Sequence, residues 1–385
     1  MDRRAAASRL TDGAISREWV GGDVVFTVAT SDDEPEVRRL LAENPVGGRF
    51  GISLEREPDA FAADFNLAED QVFILARPII GGPAFGLCER VVWDAFVDGV
   101  ARRLPYLGAL RVASDHRHRI GIPRGGFRAL RELAEDPDDL PFALTSIASD
   151  NYAARRLLAA GLPGMPNYRP IGEFSTFALR PRPSPTEPFI SAAQASDLPA
   201  ISAFLRKNAA SLQFVQNWTE EKLEGLAAFG LRPEDFLVAR DGGVIRAVLA
   251  VWDQRAFRQT VIRRYPRPLG LFRPLLNIVA PLTRMPRLPP LGTPSNQATL
   301  SHLAASEGDS EAVVALVAAA LDQAARRGFD AALIGFATER RWRAALFRFK
   351  GIEYRTTLHL AYWPEAAAQV EALGDAIPHP ELGLL

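Results

Sequence analysis

Leu110-Arg111-Val112-Ala113-Ser114-Asp115-His116-Arg117-His118-Arg119-Ile120-Gly121-Ile122-Pro123-Arg124-Gly125-Gly126-Phe127-Arg128-Ala129-Leu130 is the stretch that organises this chain. A strand over 105–112 ends at Val112. A short basic loop carrying one glycine follows. A helix then begins at Pro123, where proline suits the first turn. The backbone N–H groups of a helix start have no intrahelical partner, and the dipole makes the potential there positive. A pyrophosphate fits such a place, with Arg117, His118, Arg119 and Arg124 adding charge. The plain alternative is a solvated basic turn ahead of an amphipathic helix.

A second stretch follows at a fixed distance: Asp150-Asn151-Tyr152-Ala153-Ala154-Arg155-Arg156-Leu157-Leu158-Ala159-Ala160-Gly161-Leu162. Asn151 is a good helix cap and Gly161 a good helix stop. Together the two stretches resemble motifs A and B of the GNAT acyl-CoA N-acyltransferase superfamily. In motif A, His118 stands at the Arg/Gln position, Gly121 at the first glycine and Pro123 at the second small position. In motif B, Asn151 and the helix after it match, and Leu158 stands where many members carry a tyrosine. The resemblance covers roughly residues 23–180 and, more weakly, 188–364.

The resemblance implies acetyl-CoA or another acyl-CoA as co-substrate and no metal. It implies that CoA is held by Leu110, Arg111 and Val112 of the fourth strand. Arg117, His118, Arg119, Ile120, Gly121, Ile122 and Arg124 would form the phosphate loop, and Asn151 and Arg155 would face the pantetheine arm. It further implies that the backbone of that strand donates to the thioester oxygen. A general base commonly comes from an acidic residue on a neighbouring strand. Glu89 and Asp94 are the candidates, and strand parity puts them on opposite faces. Tyr168, between Pro166 and Pro170 in a loop over 162–170, is the substitute for the missing acid.

Arg180 to Pro188 holds four prolines in nine residues, the composition of a semi-rigid connector. On either side the chain reads β-α-β-β-β-α-β-α-β. The expected fold is therefore α+β: two GNAT-like domains, each a mixed twisted sheet flanked by helices. A shared element order suggests duplication. The expected division is an extension over 1–22, a first domain over 23–180, a linker over 181–188, a second domain over 189–364 and a tail over 365–385.

The second half keeps the order but not the loop. Ala305-Ser306-Glu307-Gly308-Asp309 is acidic, and acid at a helix start repels a pyrophosphate. The second repeat is thus expected to be degenerate. Between Gln254 and Ser306 there is no Asp or Glu, while arginines recur at 255, 258, 263, 264, 267, 273, 284 and 287. That excursion reads either as a lid or peripheral membrane contact, or as a long connection packed on the first domain.

Composition bounds the rest. With 385 residues, two to three domains are expected. Lys+Arg is 45 against Asp+Glu 46, which argues against a nucleic-acid partner. The single cysteine, Cys88, cannot form an intrachain disulfide, and no pair of the five histidines has metal-ligand spacing. Met1 to Glu18 lacks the apolar run of a signal peptide, so a cytoplasmic protein is expected. Two function classes stay open. One is an N-acyltransferase acting on a small-molecule amine or an amino group of a larger acceptor. The other is a non-catalytic acyl-CoA-binding or scaffolding protein.

Overall fold

A computed structural model describes residues 17–62, 68–133, 136–185, 187–340 and 342–385. The first half contains β1 (Glu18–Gly21), β2 (Val24–Val28), α1 (Glu34–Glu43), β3 (Gly51–Glu55), β4 (Asp70–Pro78), β5 (Gly86–Val97), β6 (Val100–Val112), α2 (Gly121–Leu133), β7 (Phe142–Ala148), α3 (Tyr152–Leu158) and β8 (Asn167–Leu179). The second half contains β9 (Ile190–Ala192), α4 (Leu198–Ala209), β10 (Val215–Gln216), α5 (Glu220–Gly225), β11 (Phe236–Asp241), β12 (Val244–Trp252), β13 (Gln259–Arg264), α6 (Arg267–Thr283), β14 (Gln297–Ala305), α7 (Ser310–Arg326), β15 (Ala331–Ala337), α8 (Trp342–Leu346), β16 (Ile352–Tyr362) and α9 (Ala367–Glu371).

One mixed sheet of 14 strands runs through both halves, in the order β1-β2-β4-β5-β6-β7-β16-β8-β15-β14-β12-β11-β9, with β10 added on β5. The centre of this order exchanges the closing strands. β16, the last strand of the second half, pairs with β7 of the first. β8, the last strand of the first half, pairs with β15 of the second. β8 and β16 then pair with each other from Asn167↔Tyr362 to Ala178↔Ile352.

Helix placement follows from apolar spacing. Ile122, Phe127 and Leu130 of α2 are buried against Phe26, Ile74 and Cys88. Each such burial contributes about 1.5–3 kcal/mol. Gly125 is required for the approach, since a Cβ there would come within 2.1 Å of the Phe26 ring. In the second half α7 buries Val313, Leu316, Val317 and Leu321, and the Asp309 side chain caps it by accepting from the Ala312 N–H at 3.0 Å. A further core joins the halves: Trp93, Leu104 and Tyr106 of the first pack in one cluster with Ile201, Phe236 and Trp252 of the second.

Three segments differ from expectation. The excursion packs on the first half, as one of its two readings had it, but it carries regular elements of its own. Its β13 pairs with β3 of the first half from Gln259↔Glu55 to Ile262↔Ile52, and its α6 is a 17-residue helix. Tyr168 belongs to β8, not to a loop, because it pairs with Ala361 of β16. The tail forms α9 and then runs into the protein, with Leu384 buried. All three depend on pairing between residues far apart in the chain.

The exchange makes a prediction. Residues 1–183 expressed alone lose β16 from between β7 and β8. Expressed apart, 1–183 and 188–385 are expected to be insoluble or to associate when mixed, read by co-purification and calorimetry. Two soluble fragments, each melting cooperatively alone, would contradict the exchange.

Candidate acyl-transfer site

The site starts as a defect in β-pairing. β6 and β7 run parallel and meet at Tyr106↔Leu144. The Thr145 hydroxyl donates to the Leu107 carbonyl at 2.8 Å, and beyond Leu144 no residue of β7 pairs with β6. On its other edge β6 carries a bulge: the step from Gly108 to Arg111 faces only Glu89 to Leu87 of β5. The extra residue, Ala109, has φ 48°. A bulge of this kind bends and twists a strand, here away from β7.

The Ala113 N–H donates to Phe85 O at 2.8 Å, towards β5. Successive N–H groups of a strand alternate in direction, so those of Val112 and Leu110 point into the fork. The Leu110 and Val112 side chains lie partly buried under α2. An apolar cavity of about 20 Å³ sits there, lined by Phe26, Ile74, Cys88, Leu110, Ile122 and Phe127 among others. That is room for about one water-sized sphere.

At the mouth, the loop 113–120 leads to the N-terminus of α2. A Cβ on Gly121 would meet nothing within 4 Å, so space is open in front of the helix start. The Arg124 Nε is buried and has no partner. Arg117 and His118 are exposed, and Arg117 Nε donates to Val112 O at 3.0 Å. Arg119 is held by Asp23 and lies 5.8 Å from the centre of the Phe85 ring. The ring of Phe85 stacks on His116 at 4.2 Å. An unpaired buried guanidinium nitrogen, an open helix N-terminus and free strand N–H groups fit the diphosphate and thioester ends of an acyl-CoA.

The remaining positions divide by face. Asn151 caps α3, its Oδ1 accepting from Ala154 N at 3.2 Å, and Arg155 donates to Ser149 O at 2.9 Å. Arg111 is turned to the opposite side of β6 from Leu110 and stands apart from the loop over 113–120. There its charge is felt by Glu89, Tyr106 and Tyr354, and burial lowers its pKa to about 10. Glu89 is on this second face. Arg56 donates to both its oxygens, at 2.7 and 2.8 Å, and Gln71 Nε2 donates to Oε1. A Cβ on Gly108 would lie 3.3 Å from Glu89 Oε2, so the carboxylate sits against the fork strand. Asp94 is far from this group in role: it accepts from Asn217 at 2.8 Å and Lys222 at 2.9 Å. Tyr168 lies on the α2 face, its ring 6.3 Å from Phe127 and 6.2 Å from His359, and burial pushes its phenol well above the usual range.

Sequence reasoning missed several residues here. Arg56, Gln71, Tyr106 and Arg258 surround Glu89 but come from four separate segments. Arg258 is half-buried, and burial together with Arg56 lowers its pKa to about 10. Asp150 was quoted only as the start of a helix motif. Its Oδ2 accepts from Arg49 N at 2.8 Å, and its Oδ1 is buried without a partner. No local pattern marks any of these.

The second half has a fork of the same form. β14 and β15 pair in parallel from Gln297↔Ala331 to Leu300↔Ile334, then separate. β14 carries a bulge where Ser301 to Ala304 faces Ala250 to Val248, with His302 at φ 56°. This fork is filled by the chain's own tail. The His302 N–H donates to Glu381 Oε2 at 2.9 Å, and the Ala337 N–H to His379 Nδ1 at 3.3 Å. A Cβ on Gly335 would lie 3.0 Å from Leu382. Beyond the fork, Arg258 donates to Gly383 O at 2.6 Å and to Leu384 O at 3.0 Å. The tail therefore ends beside the group around Glu89.

No protein-family model matches the sequence, and no curated protein matches it in sequence. Solved structures do match. Saccharomyces cerevisiae N-myristoyltransferase with bound myristoyl-CoA superposes with a TM-score of 0.58 at 12% identity, covering 93% of this chain and 92% of that one. A second structure of that enzyme, with myristoyl-CoA and inhibitors, gives 0.58 at 11% identity over 98% and 96%. A GCN5-related N-acetyltransferase from Sphaerobacter thermophilus gives 0.54 at 14% identity over 89% and 96%. The chain shares their fold. At such identities the likeness is one of architecture alone.

The two histidines at the second fork give a pH prediction. Burial lowers His302 to about 3, and it lowers His379 to about 3 with help from Arg340. In the unfolded chain both titrate near 6.5. As pH falls below 6.5 the unfolded state gains protons that the folded state refuses, so stability falls. Each histidine contributes up to about 1.4 kcal/mol per pH unit. His379→Asn keeps an acceptor for Ala337 and cannot titrate. It should lower the slope of unfolding free energy between pH 6.5 and 5 by about one proton, measured in urea. An unchanged slope would mean that His379 is protonated in the fold.

Proposed function

We propose that the protein transfers an acyl group from acyl-CoA to an amine, using the fork of the first half. The observation that carries this is the divergence of β6 from β7 at Tyr106↔Leu144, with the bulge at Ala109 and the open basic helix start ahead of it. Bound there, acyl-CoA supplies the activated thioester. The N–H groups of Leu110 and Val112 meet the oxygen on which charge develops, a contribution often worth about 3–4 kcal/mol. The amine nitrogen bonds to the acyl carbon as the carbon–sulfur bond breaks. Glu89 takes the amine proton from the other face, oriented by Arg56 and Gln71. The sulfur leaves as thiolate and is protonated from solvent, since burial makes Tyr168 a poor proton donor at neutral pH.

A short acyl group, acetyl above all, is the reading that the small apolar cavity supports. The second half is then a degenerate repeat. The matching bulges at Ala109 and His302 support a duplication, and the tail in the second fork supports loss of CoA binding there. The acceptor is an amine of a small molecule or of a larger one. One observation favours the second reading, binding without turnover: both oxygens of Glu89 are already engaged.

Two experiments test this. Gly121→Asp puts a carboxylate in the first turn of α2 and should abolish acetyl-CoA binding by calorimetry, while Gly308→Asp should leave it intact. Loss in the second variant only would overturn the assignment. With an amine acceptor in hand, Glu89→Gln should lower kcat by about 10²–10⁴-fold with binding retained, and Tyr168→Phe should leave kcat unchanged. Binding without turnover by any acceptor would support the second reading.

A further inference from the structure

The excursion leaves one element with an apolar face that no other described residue covers. Along α6, Leu271 is 77% exposed, Leu275 57%, Ile278 74% and Leu282 86%. Their spacing of four, three and four residues puts them in one stripe. Phe272 and Leu276, at 53% and 36%, widen it. Water-facing leucines in such a row are not a surface accident, since single exposed apolar residues need no explanation but a contiguous patch does.

The orientation is fixed. On the opposite side Ala280 is buried, and Asn277 exchanges two hydrogen bonds with Leu288, at 3.0 and 2.8 Å. The Tyr265 hydroxyl donates to Pro289 O at 2.7 Å. The helix is thus clamped on its polar side and cannot roll its stripe inward without breaking these contacts.

The surroundings are cationic. Arg264 and Arg267 are exposed at its start, and Arg284 and Arg287 at its end. Among the described residues, Arg264, Arg267 and Arg284 have no carboxylate within ion-pair distance, and Arg287 reaches Asp330 only at 3.7 Å. Arg284 and the exposed Arg348 both stand close enough to Arg182 that, after burial, their repulsion lowers the Arg182 pKa. Between Gln254 and Ser306 there is no acidic residue to offset this charge.

We propose that α6 is a membrane-surface helix, which lays its Leu271–Leu275–Ile278–Leu282 stripe into the headgroup boundary of an anionic bilayer. Its arginines meet the lipid phosphates. An apolar face on a helix flanked by arginine is the arrangement that lies in the interface plane. The helix has 17 residues, and no described helix is long and apolar enough to cross a membrane, so it lies on the surface. A second copy of the chain is a worse occupant. Pairing two stripes back to back would bring the arginines at the helix ends together with no acid between them.

The test is co-sedimentation of the full chain with vesicles of phosphatidylcholine alone and with 30% phosphatidylserine. Binding is expected only to the second, and it should fall with salt. Leu271→Ser with Ile278→Ser should cut it at least tenfold. Arg267→Glu, Arg284→Glu and Arg348→Glu together should cut it about 100-fold. These substitutions are at exposed positions, and circular dichroism and melting checks that each variant folds. No binding to serine-containing vesicles would overturn the proposal, as would equal binding to both. Sedimentation velocity without lipid covers the other occupant: a dimer broken by Leu271→Ser and Ile278→Ser would also overturn it.

Discussion

The backbone at Ala109 is the constraint on which the site depends. Left-handed φ is unfavourable for alanine, and it persists because the surrounding strands hold it. The bulge there turns β6 out of register with β5 and away from β7. Without it the two parallel strands would zip together past Leu144, and the N–H groups of Leu110 and Val112 would be spent on ladder bonds. A parallel sheet normally leaves no backbone donors free in its middle. This one does, and next to them stands a helix N-terminus with open space before Gly121.

The same device occurs at His302, with a different outcome. There the free N–H is satisfied by Glu381, and Ala337 by His379. Buried donors must be paired, and a fork without an occupant would leave them in an apolar gap. In the second half the chain itself supplies the partner. Burial of Glu381 pushes its pKa up, while the two backbone N–H groups of Gly383 and His302 work against that shift. The tail then continues to Arg258, so filling the second fork also ties the chain end to the Glu89 side of the first.

The exchange of β8 and β16 makes the halves one body. Each half ends on a strand that closes the other half's side of the sheet, and Trp93 and Trp252 share one core. The linker is held as well, Arg182 N donating to Leu321 O at 3.2 Å and Ser184 N to Asp322 at 3.3 Å. The sheet pairing of β13 with β3 adds a second strap, reinforced by Arg263 to Glu55 at 2.6 Å. What projects beyond this body is the outer face of α6.

Local chemistry was legible from the residues. Asn151 caps its helix, which ends at Leu158, before the glycine stop expected at Gly161, and the apolar spacing of Ile122, Phe127 and Leu130 seats α2 on the sheet. The α+β class and the order of elements followed from such short-range signals, because propensity, capping and periodicity act within one or two turns. Tertiary structure alone decided the rest. Tyr168 was read as a loop residue because its strand exists only by pairing with Ala361, nearly the whole second half away. Glu89 was visible, but Arg56, Gln71 and Arg258 were not, since nothing in their own neighbourhoods sends them to it. Residues 376–385 read as a loose end because their burial depends on a gap opened by a bulge some 75 residues earlier. Sequence fixes what a segment can become on its own. Which segments meet is a property of long-range pairing, and the site is made of those meetings.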